Sequence, residues 1–422
     1  MKFQQVTGPV MAKGVEDTAF YVYNRLVSLN EVGGHPEQFG LSLADFHRQN
    51  AERRERWPHS LVATSTHDSK RSEDVRARIN VLSEIPEEWR EALGRWGTLN
   101  ESKKASMDGG SAPDRNDEYL LYQTLLGSWP EATPNGRGLI STQQLAQYRE
   151  RIAAYMAKAT KEAKVHTSWV NPNEQYDHAV RQFVDRVLEG VKENSFLKEF
   201  APLQRRVAYF GRFNALSQLL LKLTSPGVPD LYQGCELWNH SLVDPDNRRP
   251  VDYEHRRSLL AGLRERVEKD GEDTTALADD LLETAWDGRI KLFVSYRTLD
   301  FRRTHARLFS EGCYLPSMAR GSKRDHVCAF IRTVDGEGIL VAVPRLVVGL
   351  TGRREVPPLG AEIWGDTWLS LPKEQKGRSF RNVFTGELLR VGERHGSHGL
   401  PVSDIFGRFP VALLEQMPGP NP

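Results

Sequence analysis

The densest concentration of reactive side chains in this sequence is Ser65-Thr66-His67-Asp68-Ser69-Lys70-Arg71-Ser72-Glu73-Asp74-Val75-Arg76-Ala77-Arg78. An imidazole and a carboxylate side by side at the end of an apolar run, His67-Asp68, can act on one substrate group. The same residues also suit ion pairing on a solvated surface, and the pair alone does not choose between the two. A second cluster is Asp244-Pro245-Asp246-Asn247-Arg248-Arg249-Pro250. Counted from Asp244 it fails as a calcium loop, because Arg249 replaces the turn glycine and His255 occupies the twelfth position. A third, Met11-Ala12-Lys13-Gly14-Val15-Glu16-Asp17-Thr18-Ala19-Phe20-Tyr21, mixes charges with aromatics as sugar sites do, polar forks for hydroxyls and flat rings for stacking. A loop covering a barrel edge is the plain alternative.

The elements that must hold these clusters are legible in part. Leu61-Val62-Ala63-Thr64-Ser65-Thr66 reads as a buried strand running into the His-Asp cluster. Ser72 can cap a helix whose first turn carries Glu73 and Asp74, favourably placed against the dipole. Gly8-Pro9-Val10-Met11-Ala12-Lys13-Gly14 reads as a buried strand entering a loop. From about 73 to 200 the pattern is mostly helical: Leu145, Tyr148, Ile152, Tyr155, Met156 and Ala159 share one face, as do Val180, Phe183, Val184, Val187, Leu188 and Val191. Phe213, Leu216, Leu219, Leu220 and Leu223 predict another amphipathic helix, stopped at Ser225-Pro226-Gly227 and followed by a short strand through Asp230-Leu231-Tyr232. Beyond about 285, short β-rich runs (290–296, 327–333, 338–343, 362–369, 407–414) predict a terminal antiparallel β domain. Alternating strand and helix with polar clusters after the strands is the α/β-barrel pattern, yet only about three of eight strands are found, so an incomplete barrel is expected.

The bulk numbers exclude several classes. Lys and Arg total 57 against 56 Asp and Glu, which argues against a nucleic-acid partner. Apolar runs are too short to span a bilayer, and the first residues show no secretory signal. Cys235, Cys313 and Cys328 lack metal or redox spacing and suit a reducing compartment. A cytoplasmic protein without membrane partner, cofactor or metal is expected.

Taken together, the clusters resemble the maltooligosyltrehalose synthase family, a branch of the α-amylase family. The resemblance lies in Gly8 to Gly14 with Glu16-Asp17-Thr18, in Leu29-Asn30-Glu31-Val32-Gly33-Gly34, and in Thr66-His67-Asp68 with Lys70-Arg71-Ser72-Glu73-Asp74-Val75-Arg76. It continues through Ala163-Lys164-Val165-His166-Thr167-Ser168-Trp169, Asn171-Pro172-Asn173-Glu174, Pro229-Asp230-Leu231-Tyr232-Gln233-Gly234 and Ser241-Leu242-Val243-Asp244-Pro245-Asp246-Asn247-Arg248-Arg249-Pro250-Val251-Asp252-Tyr253. Ser69 stands where Thr is usual, His35 where an acid is expected, and Asn239-His240 replaces a pair expected to begin with Asp.

The resemblance implies the C-terminal part of a (β/α)8 barrel with a helical insertion, followed by an antiparallel β-sandwich-like domain. The implied boundaries are 1–75 and 201–284 for the barrel, 76–200 for the insertion, 285–415 for the β domain and 416–422 for a disordered tail. It also implies intramolecular transglucosylation, the reducing-end α-1,4 bond of a maltooligosaccharide becoming an α,α-1,1 bond. Such enzymes are retaining: an Asp nucleophile, a Glu acid/base and a second Asp that grips the distorted sugar. Asp68 stands where the second Asp belongs, with His67 beside it. Lys13, Arg71, Asp246, Asn247 and Arg248 are the substrate-contact candidates, and Phe20, Tyr21 and Tyr23 an acceptor platform, with core packing the alternative for at least one of them. The nucleophile and acid/base belong to earlier strands than any matched here. Glu16 or Glu31 could be nominated as a substitute acid, but neither sits in the family's acid/base motif. The expectation is therefore a chain inactive by itself and poorly stable, either a fragment of a longer synthase or one piece of a split synthase completed by a separate N-terminal half. A non-catalytic glucan-binding protein and an α-glucan hydrolase are the alternatives.

Overall fold

The computed structural model describes residues 2–108, 110–131, 140–190, 193–394 and 396–418. The described chain forms two compact units that interleave along the sequence. The first comprises Met1–Phe39, Ser65–Gly211 and Asn239–Pro250; the second comprises Gly40–Thr64, Arg212–Trp238 and Val251–Pro422.

The first unit is helical, as the 3.6-residue periodicity predicts. Its helices include Glu73–Asn80, Pro86–Asn100, Arg115–Ser128, Thr142–Ala163 and Glu174–Val187. Each start has a chemical cause. Asp114 and Asn173 accept a first-turn N–H, and Ser141 with Gln144 forms a reciprocal capping box. The core is aromatic: Trp96 is fully buried and lies within 5.7 Å of the rings of Trp89, Tyr122, Phe196 and Phe200. The stripe from Leu145 to Ala159 is buried as expected, while Val191 lies outside the described residues.

The second unit carries most of the β structure. A six-stranded antiparallel sheet runs in the order Leu388–Arg390, Ser379–Asn382, Ala412–Gln416, Glu337–Pro344, Val327–Val334, Cys313–Pro316. A four-stranded sheet runs in the order Gly392–Arg394, Ser397–Pro401, Trp368–Ser370, Ala319–Arg320. Alternation decides which side each residue faces. Ala329, Ile331, Leu340, Ala342 and Leu414 pack with Leu369 and Leu400 of the smaller sheet. Phe330, Ile339, Val341 and Leu413 pack with helical residues such as Leu216, Leu220, Leu277 and Phe293. The two long central strands are therefore apolar almost continuously, being covered on both faces.

Several local expectations are corrected. The run at 8–14 is not a strand: Lys2–Pro9 is α-helical and Val10–Ala19 forms a π-helix, with Val10 and Met11 exposed. No strand pairs with this segment among the described residues, and winding satisfies its backbone groups locally. The strand expected over 61–66 shrinks to Leu61–Val62, and its parallel partner is Val228–Pro229 rather than 230–232. The helix expected from Phe213 begins eighteen residues earlier, as Ser195–Thr224. The run 290–296 lies inside the helix Arg289–Thr304, started by Gly288 at φ +84° and by Asp287, which accepts the Arg289 N–H. Ile290, Leu292, Phe293 and Val294 are all buried, and a continuously apolar run fits a buried helix as well as a strand. The run 362–369 divides into the helix Gly360–Trp364 and the start of the strand Trp368–Ser370. The last strand, Ala412–Gln416, runs one residue into the expected tail, of which 419–422 lie outside the described residues. No helix of the described chain is long and apolar enough to cross a membrane.

Candidate functional site

The first unit gathers the His-Asp cluster, the start of the chain and the 239–250 loop around one turn. Residues 66–69 fold back on themselves: Ser69 N–H donates to the Thr66 carbonyl, Thr66 N–H to Ser69 Oγ at 2.8 Å, and Asp68 N–H to Thr66 Oγ1 at 3.2 Å. These short polar side chains bond to the nearby backbone, which is why such residues make turns. His67 and Asp68 are left exposed at its crest, the Asp68 side chain at 53%.

The residues after the crest are locked from three sides. Lys70 N–H donates to Glu31 Oε1 at 2.9 Å and Arg71 N–H to Glu31 Oε2 at 3.3 Å, while Arg76 stands 3.6 Å from the same carboxylate. Glu31 also accepts the Val32 N–H. The tight turn that presents it needs its glycines: Gly33 sits at φ +72°, and a Cβ on Gly34 would fall 2.7 Å from the Glu31 carbonyl oxygen. Glu31 is thus a backbone clasp, a role that its nomination as a substitute acid did not foresee. Glu16 Oε1 accepts the Gly33 N–H and supports the same turn.

Behind the crest, the Lys70 ammonium is buried, 2.8 Å from Asp17 Oδ1 and 3.9 Å from Asp68 Oδ1. Lys13, exposed, also donates to Asp17. Burial pushes the Asp17 carboxyl upward, but hydrogen bonds from Lys13 and Lys70 outweigh it and hold the group below its usual range. The turn therefore carries one accessible carboxylate with a buried cation behind it.

The 239–250 loop closes the third side. Ser72 N–H donates to the Ser241 carbonyl, Ser72 Oγ to the Asn239 carbonyl, and Asn239 N–H to Asp74 Oδ2. The expected Ser72 cap is therefore corrected: Ser72 occupies the N-cap position, but its hydroxyl bonds the loop, and Ser65 Oγ accepts the Glu73 N–H instead. Asn247 Nδ2 donates to the His67 carbonyl at 3.0 Å.

One helix organises this loop, and sequence reading missed how. On Thr142–Ala163, Arg151, Tyr155, Lys158 and Glu162 recur at spacings of four, three and four, a polar stripe. Arg151 grips Asp246 with two bonds of 2.9 Å and donates a third to the His240 carbonyl. Lys158 holds Asp244 at 2.7 Å, Tyr155 Oη accepts from Arg71 Nη2, and Glu162 accepts from Trp169 Nε1. Burial works against the Asp246 charge, yet the Arg151 contacts keep its carboxyl below the usual range.

The substrate-contact candidates thus separate by environment. His67, Asp68, Lys13 and Arg248 face solvent. Arg71 is 1% exposed and serves the interior, and Asp246 is committed to Arg151 and the Leu242 N–H. Phe20 and Tyr21 are packed inside the unit instead of offering open rings, whereas Tyr23 is exposed. Among the described residues, no three His, Cys, Asp or Glu side chains come together to hold a metal ion.

Comparison with known proteins adds a family context. No family model matches the chain. Proteins of two Mycobacterium tuberculosis strains, each described as "Putative maltooligosyl trehalose synthase", are 39% identical to it over 98% of the chain and 45% of their own length. The solved maltooligosyltrehalose synthase from Arthrobacter ramosus is 35% identical, with a TM-score of 0.77 over 98% of this chain and 46% of that one. Another solved maltooligosyl trehalose synthase is 32% identical, with a TM-score of 0.72 over 99% of this chain and 48% of that one. The chain spans about half the length of the relatives it matches.

Proposed function

We propose that this chain, which over its matched length belongs to the maltooligosyltrehalose synthase family, supplies the Asp68 side of an active site for intramolecular transglucosylation. The substrate is a maltooligosaccharide whose reducing-end α-1,4 bond becomes α,α-1,1. The observation that carries this reading is the rigid turn that holds Asp68 outward, clasped by Glu31, backed by Lys70 and tied to Asn247. A carboxylate so held can accept hydrogen bonds from neighbouring sugar hydroxyls. Those bonds tighten as positive charge develops on the ring, and no reorganisation is needed at the moment of reaction. In this reading His67, Lys13 and Arg248, exposed like Asp68, contact the same sugar, while Arg71, Asp246 and Asn247 act through the loops that they hold.

Retaining chemistry further needs a nucleophile and an acid/base about 5–5.5 Å apart. These come, in this reading, from the remaining half of a family-length protein, to which the chain is the C-terminal portion. The short parallel pair Leu61–Val62 and Val228–Pro229 is then a fragment of a (β/α)8 sheet completed by that half. The exposed Phe3, Val6 and Val10, at helical spacing, offer it an apolar face. The sparse, odd set of three cysteines accords with a cytoplasmic setting.

The test measures loss of reducing ends from maltohexaose, with the chain alone and with a co-expressed N-terminal half. Loss only in the mixture, abolished by Asp68→Asn, is the expected result. Turnover by the chain alone refutes the composite site, and a gain in reducing ends would mean hydrolysis instead.

A further inference from the structure

A cavity of about 720 Å³ opens in the first unit between the helices Pro86–Asn100 and Arg115–Ser128. It shares no lining residue with the Asp68 turn, and its volume lies within the range of small-ligand pockets.

One wall is built from glycine. Gly94 and Gly97 lie inside a helix, where each costs roughly 1 kcal/mol relative to alanine. Neither has a positive φ, and a Cβ at either position would meet nothing within 4 Å. Neither packing nor backbone conformation requires them, so what they provide is open space and bare backbone along the cavity. The facing wall is the half-buried Tyr119, whose oxygen is fixed twice: it accepts from Trp89 Nε1 at 3.3 Å and donates to the Arg25 carbonyl at 3.0 Å. The ring is thereby held in one orientation as a stacking surface.

The polar lining is balanced in charge. In the floor, Lys104 and Glu118 are paired at 2.8 Å with 6% and 9% exposure, and Tyr122 Oη donates to Glu118 at 2.7 Å. Lys104 also holds Glu101 at 3.0 Å, and Arg115 and Ser111 complete the polar lining. Two cations against two carboxylates leave no net demand for a charged ligand. Donors and acceptors are both present beside a flat ring, a combination suited to sugar hydroxyls and a pyranose face.

We infer that this cavity binds a short, neutral oligosaccharide, as a second sugar site separate from the Asp68 turn. That the sugar is an α-linked glucan rests on the function proposed above.

The experiment uses the full chain, with maltotriose and, separately, cellotriose and inorganic phosphate as probes. Binding is read by hydrogen exchange in peptides covering 93–104 and 111–123. Maltotriose slows exchange in both peptides, in the unaltered chain and in Asp68→Asn alike. Gly97→Leu fills the space at a helical position, so it leaves the thermal midpoint unchanged or higher and weakens binding about tenfold or more. Maltotriose protection undiminished in Gly97→Leu, protection by phosphate alone, or no protection by either sugar would overturn the proposal. Protection by cellotriose only, lost in Gly97→Leu, would uphold the sugar site and remove its α-glucan identity. Absent protection alongside isomerisation by the completed enzyme would leave the proposed function standing and sink only this site.

Discussion

The side-chain amide of Asn247 donates to the main-chain carbonyl of His67 at 3.0 Å, joining two loops 180 residues apart in sequence. This bond sets the back of the turn whose front carries Asp68. On the function proposed above, Asn247→Ala in the chain paired with an N-terminal half should lower kcat about tenfold, roughly 1.4 kcal/mol of lost transition-state stabilisation, with KM little changed. Steady-state kinetics on maltohexaose check it. A large rise in KM at constant kcat would show that Asn247 binds substrate uniformly instead of positioning the turn.

Arg151 and Asp246 form a largely buried two-pronged pair that also fixes the Leu242 N–H and the His240 carbonyl. Removing Arg151 leaves the Asp246 carboxylate only the half-exposed Arg249, 3.1 Å away, as a cation. Arg151→Met alone should destabilise the chain by about 3 kcal/mol. Adding Asp246→Leu should restore part of that loss, because the double variant buries no lone charge. Urea unfolding of the single and double variants measures the coupling, and purely additive effects would contradict it.

Lys70 gives Asp17 a buried cation at 2.8 Å. The Asp17 carboxyl is held below its usual value, so its stabilising effect is present above the unfolded value of 3.8 and is lost as pH falls through the lower, folded one. Lys70→Met should therefore destabilise the chain at pH 7, and the gap to the parent should narrow as pH drops below about 4. Denaturation midpoints of both proteins across the acid range test this. A gap that stays constant with pH would place the effect of Lys70 in packing alone.

Asp117 behaves in the opposite sense. Burial pushes its carboxyl up to about 6, against a hydrogen bond from Tyr176 that favours the charged form. A carboxyl raised in the folded state favours folding while protonated. Its contribution is full below pH 3.8 and is lost as pH rises through 6. The span corresponds to on the order of 3 kcal/mol. Asp117→Asn keeps an acceptor for Tyr176 and cannot ionise, so it should gain stability over the parent above pH 6 and match it near pH 4. Thermal melts at the two pH values decide the matter, equal differences at both counting against Asp117 as the titrating group.

The legible part of the protein was the part that local chemistry fixes. The stripe from Leu145 to Ala159 determines a helix wherever it lies. The β-rich runs at 327–333 and 338–343 determine strands separated by a turn. The apolar run at 290–296 was ambiguous because burial on every side erases the period that separates helix from strand. The run at 8–14 was misread because a strand exists only where another strand accepts its hydrogen bonds.

The site divides in the same way. Residue types and order within the chain were enough to single out His67-Asp68 and the Asp244 to Pro250 loop. The tertiary structure decided what each charge is for. It buried Lys70 behind Asp68, turned Glu31 into a clasp on main-chain N–H groups, and spent Asp246 on Arg151. These assignments depend on partners 39 to 95 residues away. A carboxylate looks the same in sequence whether it ends against solvent, an ammonium or a peptide N–H, and only folding sets which of these it meets.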